Sequence, residues 1–287
     1  MKCEICDHPA LNHWLRLGEF DLYLCSVCSA VRRFAGNNEA PHETQHVTET
    51  SIDEHAWAEY QQLYYPGRLV TYRRVLDYLR TNEKKRLLDV GSAAGWFMKM
   101  AGDRDYEVYG IEPSEEVASR GAQYSQRPVQ VAMIENAPYP NDFFDVIAMF
   151  DVLEHTQNPV TCLREVRRLL TNQGVVVIRV PDINGLLPRV SHWLLYVTRG
   201  HYSLPAWLLW RYHVWGFNHR SLTSLLQKTG FTVLQYYSED AQDLLTISRK
   251  HWASNPLLTL GVRTLVNASH LVHMQDELVV IARCLSD

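Results

Sequence analysis

No stretch of this 287-residue chain holds the roughly 20 consecutive apolar residues that a bilayer-spanning helix needs. No transmembrane segment is expected, although peripheral contact with a membrane stays open. The start, Met1-Lys2-Cys3-Glu4, also lacks the apolar core of a secretory signal, so the expected compartment is the cytoplasm. Positive charge is not in excess: 28 Lys and Arg stand against 32 Asp and Glu, a formal net charge of −4. Phosphate backbones are gripped by clustered Lys and Arg, so a nucleic-acid partner is not expected and a small-molecule partner fits better. Cysteine is scarce. Of six, four form two tight pairs near the start while Cys162 and Cys284 stand alone. That distribution excludes the even scatter of a disulfide-stapled secreted domain, and the two lone cysteines read as small buried hydrophobes. There is no internal repeat and no low-complexity tract.

What is present begins with Cys3/Cys6 and Cys25/Cys28, two C-x-x-C pairs separated by 18 residues. That spacing reads as a four-thiolate zinc site, and four thiolates in a tetrahedron leave no open position, so the ion is expected to be structural. A redox-active pair or unliganded core cysteines are the alternatives. With strand character at Leu22-Tyr23-Leu24, residues 1–35 read as a zinc ribbon forming a separate module. Residues 36–56 are polar and aperiodic, the pattern of a linker, and 57–287 form the main domain.

Between Trp57 and Leu79 apolar residues recur at helical spacing, and Pro66-Gly67 predicts a break into two helices. Strands and helices then alternate. Arg86–Val90, Glu107–Ile111, Val129–Ala132, Asp145–Phe150 and Val175–Val180 read as short apolar strands. Trp96–Ala101 and Pro159–Leu170 read as helices between them, with Ser114 as the N-cap of another. Strands that are nearly continuous apolar runs are buried on both faces, which points to a parallel α/β sheet in three layers. Further on come a long aromatic segment at 186–217, a helix at Ser221–Thr229, a strand at Phe231–Tyr237, an amphipathic stretch at Leu257–Leu271 and a last strand at Glu277–Arg283.

The most informative segment is Arg86-Leu87-Leu88-Asp89-Val90-Gly91-Ser92-Ala93-Ala94-Gly95-Trp96, an apolar strand running through a small-residue turn into a helix. Small residues let a ligand approach the backbone, and the free N–H groups of a helix start meet polar ligand groups. A second acid, Glu112, closes the next strand in Tyr109-Gly110-Ile111-Glu112-Pro113, where it could accept both hydroxyls of a ribose. On these residues, on Phe144-Asp145-Val146-Ile147 leading into Asp151-Val152-Leu153-Glu154-His155, and on His213, Phe217 and Ser221 to Phe231, the chain resembles the class I S-adenosylmethionine-dependent methyltransferases from about Arg68 to Arg283. The resemblance implies a Rossmann-like seven-stranded sheet with an antiparallel last strand, and methyl transfer from S-adenosylmethionine. It also implies a cofactor site made of Tyr65, Arg68, Asp89, Gly91, Ser92, Ala93, Gly95, Glu112, Pro113, Met133, Ile134, Phe150 and Asp151. Two positions depart from the family pattern. Ala93 replaces the usual middle glycine, and Met133-Ile134 stand where an acid near the adenine is common, so apolar and backbone contacts would read that ring.

Methyl transfer needs in-line approach and an available lone pair, and a base only for hydroxyl or carbon acids. His155, just after the fourth strand, is the first candidate for general base and His213 the second. The segment 186–217, with Trp207 and Trp210, is expected to form an aromatic substrate lid over the sheet edge. Aromatic walls suit a sugar, a glycan precursor or a secondary metabolite as methyl acceptor. An RNA base methyltransferase using the ribbon to hold RNA, and a non-catalytic cofactor-binding partner protein, are the rival readings. Purified protein is expected to carry one zinc per chain by elemental analysis; metal-free, fully folded protein would exclude the ribbon.

Overall fold

The computed structural model describes residues 1–35, 54–80, 83, 85–198, 210, 213–240 and 256–285. Strands β1 (Leu11–Leu17), β2 (Phe20–Cys25) and β3 (Val31–Ala35) form an antiparallel meander. The long helix α1 (Glu54–Tyr78) precedes the main sheet. Its strands and helices follow as β4 (Arg86–Val90), α2 (Trp96–Gly102), β5 (Glu107–Ile111), α3 (Glu115–Ser125), β6 (Val129–Gln130), β7 (Phe144–Phe150), α4 (Pro159–Leu169) and β8 (Leu170–Pro181). After α5 (Leu186–Val197) come β9 (Trp215–Gly216), α6 (His219–Lys228), β10 (Phe231–Glu239), α7 (Pro256–Leu271) and β11 (Glu277–Cys284). Among the described residues no helix is long and apolar enough to cross a membrane.

The seven-stranded sheet has the order β10-β11-β8-β7-β4-β5-β6. Strand β11 runs antiparallel to both neighbours, as the family resemblance implies, while β8, β7, β4, β5 and β6 are parallel. Strand periodicity divides the core. Along β7, Val146, Ala148 and Phe150 pack with α1 and α2, whereas Ile147 and Met149 pack with α4 and α6 on the opposite face. Because both faces are covered, every residue of Val146–Phe150 is buried, which is why the sequence shows an unbroken apolar run there.

Two expectations change. Helix α1 passes through Pro66 without the predicted break. An interior proline removes one hydrogen bond and crowds the preceding turn at about 3 kcal/mol. Packing on both sides offsets this: Trp57 is buried before Pro66, and Tyr72, Val75 and Leu76 are buried after it. The ribbon is also not a separate module. Strand β3 pairs with β9, so the small sheet has the order β1-β2-β3-β9 and its last strand comes from the main domain. Cys3, Ile5, Cys25 and Cys28 share one apolar core with β8 and α6, and Asn218 Nδ2 donates to the Ser29 carbonyl at 2.8 Å. Most of the expected linker, residues 36–53, lies outside the described residues, and Glu54 already belongs to α1.

The expected aromatic lid also reads differently. Trp207 lies outside the described residues. Trp210 is fully buried among Leu17, Leu22, Val31, Ile183 and Leu195, so it ties α5 to the ribbon, and Trp215 sits in β9. Trp210 Nε1 donates to His192 Nε2 at 3.0 Å, and Trp14 meets the same imidazole edge-on at 4.8 Å. An imidazole that accepts at Nε2 is neutral, and burial holds the His192 pKa down to about 4. In the unfolded chain this group titrates near its ordinary value, so its contribution to stability is complete above about pH 6.5 and is lost as pH falls toward 4. The His192 ring is therefore expected to titrate near pH 4 in a proton NMR experiment, and His192→Gln to flatten the acid limb of the stability curve relative to the wild type.

Candidate functional site

The site is built around the turn between β4 and α2. Gly91, Ala93 and Gly95 all adopt left-handed backbone, with φ of 67°, 44° and 72°. The Gly91 and Ser92 amides both donate to the Ile111 carbonyl, at 2.8 and 3.0 Å, and the Gly95 amide donates back to the Ser92 carbonyl at 2.8 Å. An L-residue in this conformation costs about 1–2 kcal/mol, which falls on Ala93 where the family has glycine. Its amide donates to Glu112 Oε2 at 3.1 Å, holding the strained residue in place. The turn also leaves no room for side chains. A Cβ on Gly91 would lie 2.6 Å from Val152 Cγ2, and one on Gly95 would lie 2.5 Å from the Gly121 carbonyl oxygen. Gly121, in α3, would in turn place a Cβ 2.4 Å from the Ala93 carbonyl oxygen. This second partner of the turn was not singled out in the sequence, because a mid-helix glycine carries no motif of its own.

Above the turn lies a cavity of about 460 Å³. Arg68, Asp89, Gly91, Ser92, Ala93, Glu112, Pro113, Met133, Ile134, Phe150, Asp151 and His155 all line it, so twelve of the fifteen expected cofactor and catalytic residues meet in one place. Three do not line it. Gly95 lies beneath, against α3; Tyr65 turns away to pack on Trp96 with ring centroids 5.0 Å apart; His213 stands behind His155. Trp57 and Tyr72 are wall residues that the sequence reading missed. They lie on one face of α1 with Arg68, since 11 and 4 residues at about 100° per residue return nearly to the same side. Splitting the helix at Pro66 hid that alignment.

The carboxylates of the cavity are held in different ways. Glu112 accepts from the Ala93 amide through Oε2 and from the Ser114 amide, 3.2 Å away, through Oε1. Burial raises its pKa, and these two bonds partly counter the rise. Asp89 is buried beside Glu112, and both burial and that neighbouring charge push its pKa well up. Asp151 is instead paired. Arg179 Nη1 donates to both of its oxygens at 2.6 Å, and Arg68 forms a further ion pair with it. Its own backbone is left-handed, with φ of 56°.

At the far end the short 3₁₀ turn Leu153–His155 places His155 on the wall while Glu154 points inward, 1 % exposed. Among the described residues neither Glu154 oxygen has a hydrogen-bond partner, and burial drives its pKa up to about 8. The His155 and His213 rings meet edge to face at 4.9 Å. Burial, with the charges of His155 and Arg33, keeps His213 well below the ordinary histidine value, so it is neutral at pH 7. Its position is fixed through the ribbon: the Val214 amide donates to the Glu154 carbonyl at 2.8 Å, and the Val214 carbonyl accepts from the Arg33 amide of β3 at 2.9 Å.

The four ribbon cysteines converge as their spacing predicts. Their sulfur atoms all lie within 4.8 Å of one another, with Cys3 to Cys28 at 3.7 Å and Cys6 to Cys25 at 3.5 Å. Zinc–sulfur bonds of about 2.3 Å in a tetrahedron place sulfurs roughly 3.8 Å apart, so the set fits one ion. Cys162 and Cys284 are buried in the core, as expected.

Residues 57–236 match the family described as "Methyltransferase domain". A tRNA U34 carboxymethyltransferase of Shewanella denitrificans is 32 % identical over 122 residues, which are 40 % of this chain and 37 % of the relative; the chain thus matches well under half of that protein's length. Among solved structures, a chain of the complex between the Haloferax volcanii Trm112 methyltransferase activator and a methyltransferase superposes with a TM-score of 0.61 at 16 % identity, over 83 % of this chain and 99 % of that one. The phosphoethanolamine N-methyltransferase 2 of Haemonchus contortus, solved with phosphomonomethylethanolamine and S-adenosylhomocysteine, superposes with a TM-score of 0.57 at 14 % identity, over 81 % of this chain and 57 % of that one.

Glycine to alanine in the middle of a helix ordinarily stabilises by up to about 1 kcal/mol. At Gly121 the opposite sign is expected, a loss of roughly 1–3 kcal/mol in urea unfolding, because the added methyl group would meet the backbone of the turn.

Proposed function

Because this chain belongs to the methyltransferase-domain family, we propose that it is an S-adenosylmethionine-dependent methyltransferase whose cavity above Gly91–Gly95 holds the cofactor and offers its methyl group to a small-molecule acceptor at the His155 end. When bound, S-adenosylmethionine supplies a methyl group on a positively charged sulfur. The chain's own residues suit such a ligand. Each Glu112 oxygen is held by one backbone amide and retains a lone pair for vicinal ribose hydroxyls. Met133 and Ile134 provide an apolar wall for the adenine, and the left-handed turn keeps every side chain out of the ligand's path. Arg68 and Asp151, already paired, lie where the charged amino-acid end would reach. The four ribbon thiolates are proposed to hold a structural zinc, with no position left for substrate.

The observation that favours a small acceptor over RNA is the use made of the ribbon's cations. Arg32 pairs with Glu4 and lies over the Phe34 and Trp215 rings, 4.9 Å from each centroid. Arg33 is buried, its guanidinium 4.5 Å from the centre of Phe20. Lys2 and Lys228 both reach Asp7, at 2.7 and 2.9 Å. Arg32 and Arg33 are thereby turned inward, and the exposed Lys2 and Arg16 that remain on the ribbon are too few to form the basic stripe that phosphates need. An RNA acceptor is the second reading, favoured by the name of the Shewanella relative. Calorimetry is expected to show S-adenosylhomocysteine binding to the wild type and at least tenfold weaker binding to Glu112→Ala. No binding by either protein would overturn the proposal, and retention of tRNA at physiological salt would move the acceptor to RNA.

A further inference from the structure

Glu154, His155 and His213 form a cluster that holding the cofactor does not use. One oxygen of Glu154 and one nitrogen from each histidine lie within 4.8 Å of one another, with His155 Nε2 4.0 Å from Glu154 Oε1. The three come from two segments far apart in the chain, and the Val214–Glu154 and Val214–Arg33 backbone bonds lock those segments together. Glu154 is the unusual member. A carboxylate removed from water with no hydrogen bond on either oxygen is costly, and buried acids are ordinarily paired or bound to a metal. The guanidinium groups of Arg179 and Arg68 act on Glu154 through their charge, while their ion pairs go to Asp151 and, for Arg179, to Glu277 at 3.4 Å.

We propose that Glu154, His155 and His213 bind a divalent transition-metal ion at the acceptor end of the cavity. Two imidazoles and one carboxylate are a donor set for first-row divalent ions, and three protein ligands leave coordination positions open, unlike the four thiolates of the ribbon. Ligand atoms about 2.0–2.1 Å from one ion stand roughly 3–4 Å apart, so side-chain adjustments of at most about 1 Å complete the site. Of the three, His155 lines the cavity wall and joins the cluster to the cavity. A hydroxyl, carboxylate or carbonyl oxygen of the acceptor is the ligand class that such an ion takes up. In this arrangement His155 serves the ion and is not itself the proton acceptor. The reading rests on the proposed acceptor end of the cavity, yet metal uptake is measurable without methyl transfer.

Cobalt(II) titrated into the intact chain with its ribbon zinc in place is the test. Uptake of one further equivalent is expected, with visible cobalt bands and without the near-ultraviolet thiolate-to-metal band that exchange into the ribbon would give. Glu154→Gln and His155→Gln are each expected to weaken that uptake tenfold or more. His155 lies on the cavity wall, so its variant decides the matter if Glu154→Gln does not fold. No cobalt beyond the ribbon, or uptake unchanged in His155→Gln, would overturn the metal site. Failure of S-adenosylhomocysteine binding, by contrast, would overturn only the cofactor reading.

Discussion

Two stretches of backbone, the β4–α2 turn and helix α3, pack so closely that neither leaves room for a methyl group on the other. Gly95 and Gly121 face each other with no space for a methyl group on either, and Gly91 lies equally close to Val152. This contact forces the chain into three left-handed residues in a row of five and turns the Ala93 amide toward Glu112. The floor of the cavity, the position of Glu112 and the placement of α3 against the turn all depend on that one steric condition. Interiors are packed too densely to absorb a displaced turn without moving the strands on either side.

The ribbon has a structural consequence beyond the convergence of its four cysteines. By pairing with β9 it fixes Val214, and through Val214 it fixes the carbonyl of Glu154. A second contact, Trp210 between His192 and the ribbon's apolar residues, holds α5 in the same unit. The small sheet therefore acts as a brace behind the His155 end of the cavity. Two of its basic residues, Arg32 and Arg33, are spent on this internal work.

Charge inside the site is arranged by differences in pairing. Asp151 is held by two guanidinium groups and Glu112 by two amides, whereas among the described residues no hydrogen bond from another residue reaches Glu154. In a medium of low dielectric the first two arrangements offset the desolvation of a carboxylate and the third does not. That contrast sets Glu154 apart from the other two carboxylates of the site.

Local sequence determined a great deal. The unbroken apolar strands, the Gly91–Gly95 turn, Glu112 one strand later, the N-cap at Ser114 and the paired cysteines are all set by near neighbours in the chain, through backbone sterics, periodicity and ligand spacing. What depended on distant segments was not legible. The continuity of α1 through Pro66, the partnership of Gly121 with the turn, the burial of Trp210 and the pairing of β3 with β9 each involve surfaces that meet only in the folded chain. The same holds for Glu154. Its sequence context marks it as a residue beside a histidine, but only the tertiary structure removes its water, withholds a hydrogen bond and brings His213 alongside.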